Sequence, residues 1–168
     1  PLRLSIDMGV QHALATELGD AIARYKAKGA TGVVVDPNTG EVIAAASLPG
    51  VDPNNPLERL EKPRLNKLMA GRYELGSVMK AMTVALALDS GDATLDTMVD
   101  VRGGIEADGY RIEDHGRVKR MNVRDVFVRS SNVGTALLAM QSGPHKQKAF
   151  LKRLGMIEPM STEAGPMR

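Results

Sequence analysis

The chain has 168 residues, 43% of them hydrophobic and 25% charged, which sets it among folded chains with room for a core and apart from disordered or membrane-embedded ones. A formal net charge of +2, scattered along the sequence, gives no case for nucleic acid, and the absence of cysteine excludes disulfides, thiolate chemistry and Cys-ligated metal. Aromatic residues make up only 3% with no Trp, so aliphatics and the ten Met must build the core.

Taken in chain order, "SIDMGVQHALATELGDAIARYKAKG" reads as an amphipathic helix. Asp7 is its expected cap, Leu14, Leu18, Ile22 and Tyr25 recur at helical spacing, and Gly29 is its expected stop. Two β-prone runs then flank Asp36-Pro37-Asn38-Thr39-Gly40, whose turn chemistry predicts a hairpin over Thr31–Pro49. Pro49 to Pro63 reads as a connector rich in Pro and Asn. Ser77 to Ser90 is predicted as one helix closed by Gly91, and "TMVDVRGGIEADGYRIEDHG" as short strands between glycine turns. "NVRDVFVRS" and "NVGTALLAMQSG" predict two helices meeting around Ser130-Ser131-Asn132, and a last helix covers Gln147 to Leu154 before a Pro/Gly-rich tail. No apolar run is long enough to span a membrane, and no signal-like segment opens the chain. The start at Pro1 reads as that of an excised or processed piece.

Chemistry is suggested first by "ELGSVMK". Residues three apart share a helix face, so the Ser77 and Lys80 side chains can meet within one turn. A helix start offers free N–H groups and a dipole that favours developing negative charge. A serine hydroxyl is a poor nucleophile until a base takes its proton. Lysine becomes such a base when apolar burial disfavours its charge, and Val78, Met79, Ala81, Met82, Val84 and Leu86 promise those surroundings. The bland alternative is a helix cap, worth about 1 kcal/mol, followed by a stray cation. Against it, lysine is seldom buried without reason, and this one interrupts an apolar run of more than two turns.

A second pattern, Ser130-x-Asn132, falls at the junction of the two later helices, where Ser131 or Asn132 also reads as an ordinary cap. S-x-x-K followed by S-x-N, both at helix ends, is hard to obtain by accident, and the two can converge on one cleft. Other signals are weaker. His12, His115 and His145 are dispersed without ligand spacing, so no metal site is expected. "EDHG" invites a Ser-His-Asp guess with Asp114 and His115, but a polar loop fits it better. "KPRLNK" reads as a solvated basic face. "NVRDVFVRSSNVGTALLAM" has a helix-turn-helix look, yet its second helix is nearly all apolar after Asn132 and offers no DNA-reading face.

The stretches "GVVVDPNTGEVIAAASLP" with "DPNNP", "LNKLMAGRYELGSVMKAMTVALAL", "VRSSNVGTALLAM" and "FLKRLG" together resemble the transpeptidase domain of class B penicillin-binding proteins, above all the proteobacterial septal member. These are serine D,D-transpeptidases that cross-link peptidoglycan. The resemblance implies an α+β, penicillin-binding protein and serine β-lactamase-like fold, here partial: an antiparallel hairpin plus a helical subdomain. One incomplete domain is expected over 1–168, with residues 1–63 holding helix, hairpin and connector and 64–168 holding both motifs. The family's third element, a K-T-G-type triad, does not occur in the sequence, and the strands that carry and follow it would be absent with it.

Residue by residue, the resemblance makes Ser77 the nucleophile, with its backbone N–H as half of the oxyanion hole. Lys80 accepts the Ser77 proton, Ser130 relays a proton to the leaving amine, and Asn132 binds the substrate amide and helps to hold Lys80. Stem peptides would be substrates and β-lactams inhibitors, with cell-division and wall-synthesis proteins as partners, the periplasmic face of the inner membrane as location, and no cofactor. Alternatives within the fold are a β-lactamase or β-lactam sensor, and a non-catalytic piece with an interaction role. With later strands missing, the hairpin would present an open sheet edge prone to pair with another copy.

Overall fold

Asp7 is placed to start a helix because its carboxylate accepts the Val10 N–H at 2.9 Å, and α1 runs from Met8 to Tyr25. These coordinates are a computed structural model that describes residues 3–51, 54–55, 57, 65–116, 119–159, 161–162 and 165–166. Most of the expected Pro49–Pro63 connector, including Asp52, Pro53 and Pro56 of its "DPNNP", lies outside the described residues, as do parts of the "KPRLNK" cluster and of the tail. The backbone forms two compact units, Pro1–Tyr73 with Ser161–Arg168, and Glu74–Met160.

In the first unit α1 half-buries Leu14, Leu18 and Ile22 against a hairpin, while Tyr25 is exposed, contrary to its expected place on the apolar face. The helix also stops before Gly29: Lys26 takes the left-handed conformation at φ 51° and its N–H returns to the Ile22 carbonyl. Gly29 serves the sheet instead, since a Cβ there would lie 2.7 Å from the Leu48 carbonyl oxygen. β1 (Ala30–Val35) and β2 (Val42–Leu48) pair antiparallel around the expected turn, in which Asp36 Oδ1 accepts the Asn38 N–H at 2.7 Å and Gly40 has φ 77°. A bulge after Val34 leaves Ile43 without a β1 partner, and its carbonyl accepts the Asp7 N–H. The Gln11 amide closes a two-way hydrogen bond with the Ala45 backbone at 2.9 Å in each direction. The N-terminal segment therefore covers the outer edge of β2. Among the described residues β1 pairs only with β2, and Val33, Val34 and Val35 along it are 49%, 37% and 45% exposed. A short helix, α2 (Lys67–Ala70), capped by Asn66, follows.

The second unit is where the two motifs fall. A single 3₁₀ turn, Gly76–Val78, leads into α3 (Met79–Asp89), so Ser77 sits in the tighter turn and not in the predicted α-helix. Gly91 at φ 69° lies just beyond the end of α3. Three short strands occupy the glycine-rich region: β3 (Met98–Asp100), β4 (Ile105–Ala107) and β5 (Tyr110–Ile112). β4 pairs with β5, and β3 with β6 (Arg120–Asn122). α4 (Val123–Val128) is capped by Asn122, and α5 (Asn132–Arg153) by Ser131. Gly143 at φ 76° breaks α5 and Pro144 restarts it, as proline can at a first helical position, so the two helices expected here meet end to end. One core joins Val84 and Ala87 of α3 to Val99, Met121, Val123, Val126, Val133 and Leu138. Gly134 allows the α4–α5 approach, because a Cβ there would meet Val126 Cγ2 at 2.6 Å. β7 (Ser161–Thr162) and β8 (Gly165–Pro166) pair antiparallel in the first unit.

Asp92, just past α3, is tied to α5 by Lys146 at 2.6 Å and by its carbonyl to Gln141 Nε2 at 2.7 Å. Lys146 foremost, then Ser90, holds the Asp92 carboxyl down to about 2 from an ordinary 3.8. A depressed folded-state value stabilises the fold fully above about pH 3.8, and the contribution is lost as pH falls through about 2. Lys146→Met is expected to raise the Asp92 titration midpoint toward 3.8, read by side-chain carboxyl NMR. An unmoved midpoint would assign the depression to other groups.

Candidate active site

Lys80 lies one turn beyond Ser77, on the first turn of α3, and the structure surrounds its ammonium with oxygen. Nζ donates to the Ser130 carbonyl at 2.6 Å, to Ser130 Oγ at 3.0 Å and to Asn132 Oδ1 at 2.5 Å. An ammonium has three N–H donors, and three acceptors meet them. The apolar surroundings expected from the neighbouring sequence are therefore corrected at the ammonium: the residue is half-buried, and its head sits among three oxygens. Val84 and Ala87, at i+4 and i+7, share the Lys80 face of α3 and enter the core, but Lys80 stands in the first turn of the helix, where the turn between α4 and α5 brings the Ser130 and Asn132 oxygens to its ammonium.

That turn has an unusual backbone. Ser130 adopts φ 53°, a conformation that costs a non-glycine residue of order 1 kcal/mol or more and persists only where its surroundings enforce it. In this conformation the Ser130 hydroxyl and carbonyl both face Lys80. The next residue, Ser131, is buried and carries the helix cap, accepting the Gly134 N–H at 2.8 Å. Asn132 turns Oδ1 toward Lys80 and donates from Nδ2 to the Glu113 carbonyl at 3.0 Å, which leaves its amide one further N–H.

Ser77 is exposed, and among the described residues no hydrogen bond links its hydroxyl to Lys80. Nor does Ser77 cap the helix. The residue preceding the 3₁₀ turn is Leu75, the one preceding α3 is Val78, and neither end has a side-chain cap. The structure thus brings Lys80, Ser130 and Asn132 into direct contact and leaves Ser77 one turn away with its hydroxyl unengaged. A cleft of about 120 Å3 opens beside Ser130 and Asn132 along the Asp114–Gly116 loop, and neither Ser77 nor Lys80 lines it.

The sequence reading passed over one residue that the geometry makes prominent. Asp114, read as part of a polar loop, directs both carboxylate oxygens at the start of α5: Ser131 Oγ donates to Oδ2 at 2.5 Å, and the Asn132 and Val133 N–H groups donate to Oδ1. None of these bonds involves His115. A cap 17 residues from the helix it serves leaves no trace in local spacing. The three histidines form no group with other ligands, and among the described residues no cluster suited to a metal ion occurs.

Residues 30–164 match the family model of the penicillin binding protein transpeptidase domain. The probable peptidoglycan D,D-transpeptidase FtsI of Caulobacter vibrioides is 41% identical over 165 residues, 97% of this chain and 28% of the relative. Among solved structures, the apo transpeptidase domain of penicillin-binding protein 3 from Burkholderia pseudomallei is 31% identical with a TM-score of 0.76, over 90% of this chain and 42% of that one. Penicillin binding protein 3 of Mycobacterium tuberculosis, complexed with aztreonam, is 29% identical with a TM-score of 0.80, over 90% of this chain and 35% of that one. The chain thus spans well under half the length of these relatives.

Proposed function

The chain belongs to the penicillin-binding protein transpeptidase domain family, and from that premise we propose that it is the acylating part of a septal peptidoglycan D,D-transpeptidase, with Ser77 as nucleophile. The observation that carries this reading is the Lys80 ammonium, fixed by Ser130 and Asn132 one turn from a serine hydroxyl that serves no structural purpose. Ser77 Oγ attacks the carbonyl of the penultimate D-alanine of a stem peptide, and its proton passes to Lys80 in the amine form, one N–H proton having first been given up to solvent. The backbone N–H of Ser77, at the start of a helical segment, supports the oxyanion. Ser130 Oγ, 3.0 Å from Nζ, is the natural carrier of a proton from Lys80 to the departing D-alanine amine. An amine from a neighbouring stem peptide then resolves the ester. The free N–H of the Asn132 amide is left to bind the substrate.

A β-lactam enters the same path and stops at the acyl-enzyme; the aztreonam complex of the Mycobacterium tuberculosis relative supports this inhibitor class. Names of relatives as D,D-transpeptidases favour transfer over the β-lactamase or sensor alternatives. The name FtsI favours division, with divisome and wall-synthesis proteins as partners. The site of action is the periplasmic face of the inner membrane, and among the described residues no helix is long and apolar enough to cross a membrane.

In a complete transpeptidase domain carrying these residues, Ser77→Ala abolishes covalent labelling by a fluorescent penicillin, and retained label removes Ser77 from its role. Lys80→Ala slows labelling by about a hundredfold or more while far-UV circular dichroism stays constant, whereas an unchanged rate means that another base operates. The β1 edge of this chain, taken alone, is proposed to pair with a second copy. Sedimentation velocity should then show mass rising with concentration and Val34→Lys reversing it. A single monomeric species throughout would contradict the pairing.

A further inference from the structure

Besides Lys80 and the two flanking helices, two consecutive residues outside both motifs hold the Ser130–Asn132 turn. Glu113 and Asp114 directly follow β5, seventeen or more residues before the turn they hold. The Glu113 carbonyl takes the Asn132 Nδ2 proton, which fixes the amide with Oδ1 toward Lys80. The Asp114 carboxylate takes the Ser131 hydroxyl and the N–H groups of Asn132 and Val133. Two of those are orphan donors of the first turn of α5, where a negative charge is favoured. The third ties down the buried cap that follows Ser130.

Ser130 itself is the strained member, with a left-handed backbone that directs both its carbonyl and its hydroxyl at Lys80. On its N-terminal side the turn is held by Ser130 N–H to the Phe127 carbonyl and Ser131 N–H to the Val126 carbonyl. On its C-terminal side the backbone restraint beyond α5 itself comes from Asp114, while Glu113 and Lys80 hold the Asn132 side chain. Resting on the reading of Ser77, Lys80 and Ser130 given above, we propose that Asp114 is a positioning residue for acylation, holding Ser130 and Asn132 in register with Lys80. Its hydrogen bonds go to Ser131 and to the Asn132 and Val133 N–H groups, and to none of Ser77, Lys80 or Ser130. Its effect passes through the Ser131 hydroxyl and the Asn132 backbone.

A complete transpeptidase domain with Asp114→Ala or Asp114→Asn tests this by stopped-flow acylation with a fluorescent penicillin, separating the saturating acylation rate from non-covalent affinity and from final stoichiometry. Asp114→Ala should lower the saturating rate by about tenfold to a hundredfold, as a displacement near 1 Å of a catalytic group does. Every molecule should still be labelled at the end, and initial affinity should change little. Asp114→Asn keeps an oxygen for the two N–H groups and should fall between, so it reads the effect even where Asp114→Ala does not fold. A residue that only stabilised the fold would give incomplete labelling, with the labelled fraction reacting at the parent rate, and that result overturns the proposal. So does an Asp114→Asn domain that is labelled as fast and as fully as the parent. A parent domain that takes no label overturns the functional reading itself, and with it this inference.

Discussion

The whole arrangement depends on one cation meeting three oxygens. Lys80 Nζ has three protons to place, and Ser130 O, Ser130 Oγ and Asn132 Oδ1 receive them. These groups lie 50 and 52 residues apart in sequence, so the cage exists only because α3, α4 and α5 share a core. Val84 and Ala87 hold α3 in that core, and Val126 and Val133 hold the two ends of the turn that presents Ser130. The cage sits at the rim of an aliphatic cluster whose packing sets its distances.

Rigidity at the rim comes from polar contacts that a local view of the chain does not contain. Ser130 would relax from its left-handed conformation if the flanking residues allowed it, and those residues are fastened on both sides. Ser131 binds the first turn of α5 through its own hydroxyl oxygen, while its proton goes to Asp114. The Asn132 amide is held at both ends, by Glu113 and by Lys80. Such a network is strong when every member is satisfied, because each partner restricts the next.

Local chemistry was the legible part of the sequence. The Asp36–Gly40 turn is written in five consecutive residues and folds as written. The break in α5 is announced by Gly143-Pro144. Boundaries that tertiary packing decides were harder to read: Gly29 looks like a helix stop but serves close approach to Leu48, and Lys26 takes the left-handed position instead. Tyr25 has the right spacing for the apolar face of α1, yet it is the last residue of the helix and is exposed. The helix neighbours of Lys80 point to a cation in apolar surroundings. Val84 on the same face does pack in the core, but the groups that meet the ammonium come from the Ser130–Asn132 turn, which helix spacing cannot show.

The difference between a motif and a coincidence lies in which side chains are already committed. A serine at the start of a helix normally accepts a backbone N–H there. At the α5 start Ser131 does this, which frees Ser130 and Asn132 from capping and leaves both to Lys80. At the start of α3 no side chain caps at all, and the Ser77 hydroxyl is left exposed. A half-buried lysine, three acceptors gathered around it and an uncommitted hydroxyl one turn away have no common purpose in a purely structural account. In the proposed role, activation of a serine for acyl transfer gives all three a use, and the left-handed turn at Ser130 aims its hydroxyl and carbonyl at Lys80 for it.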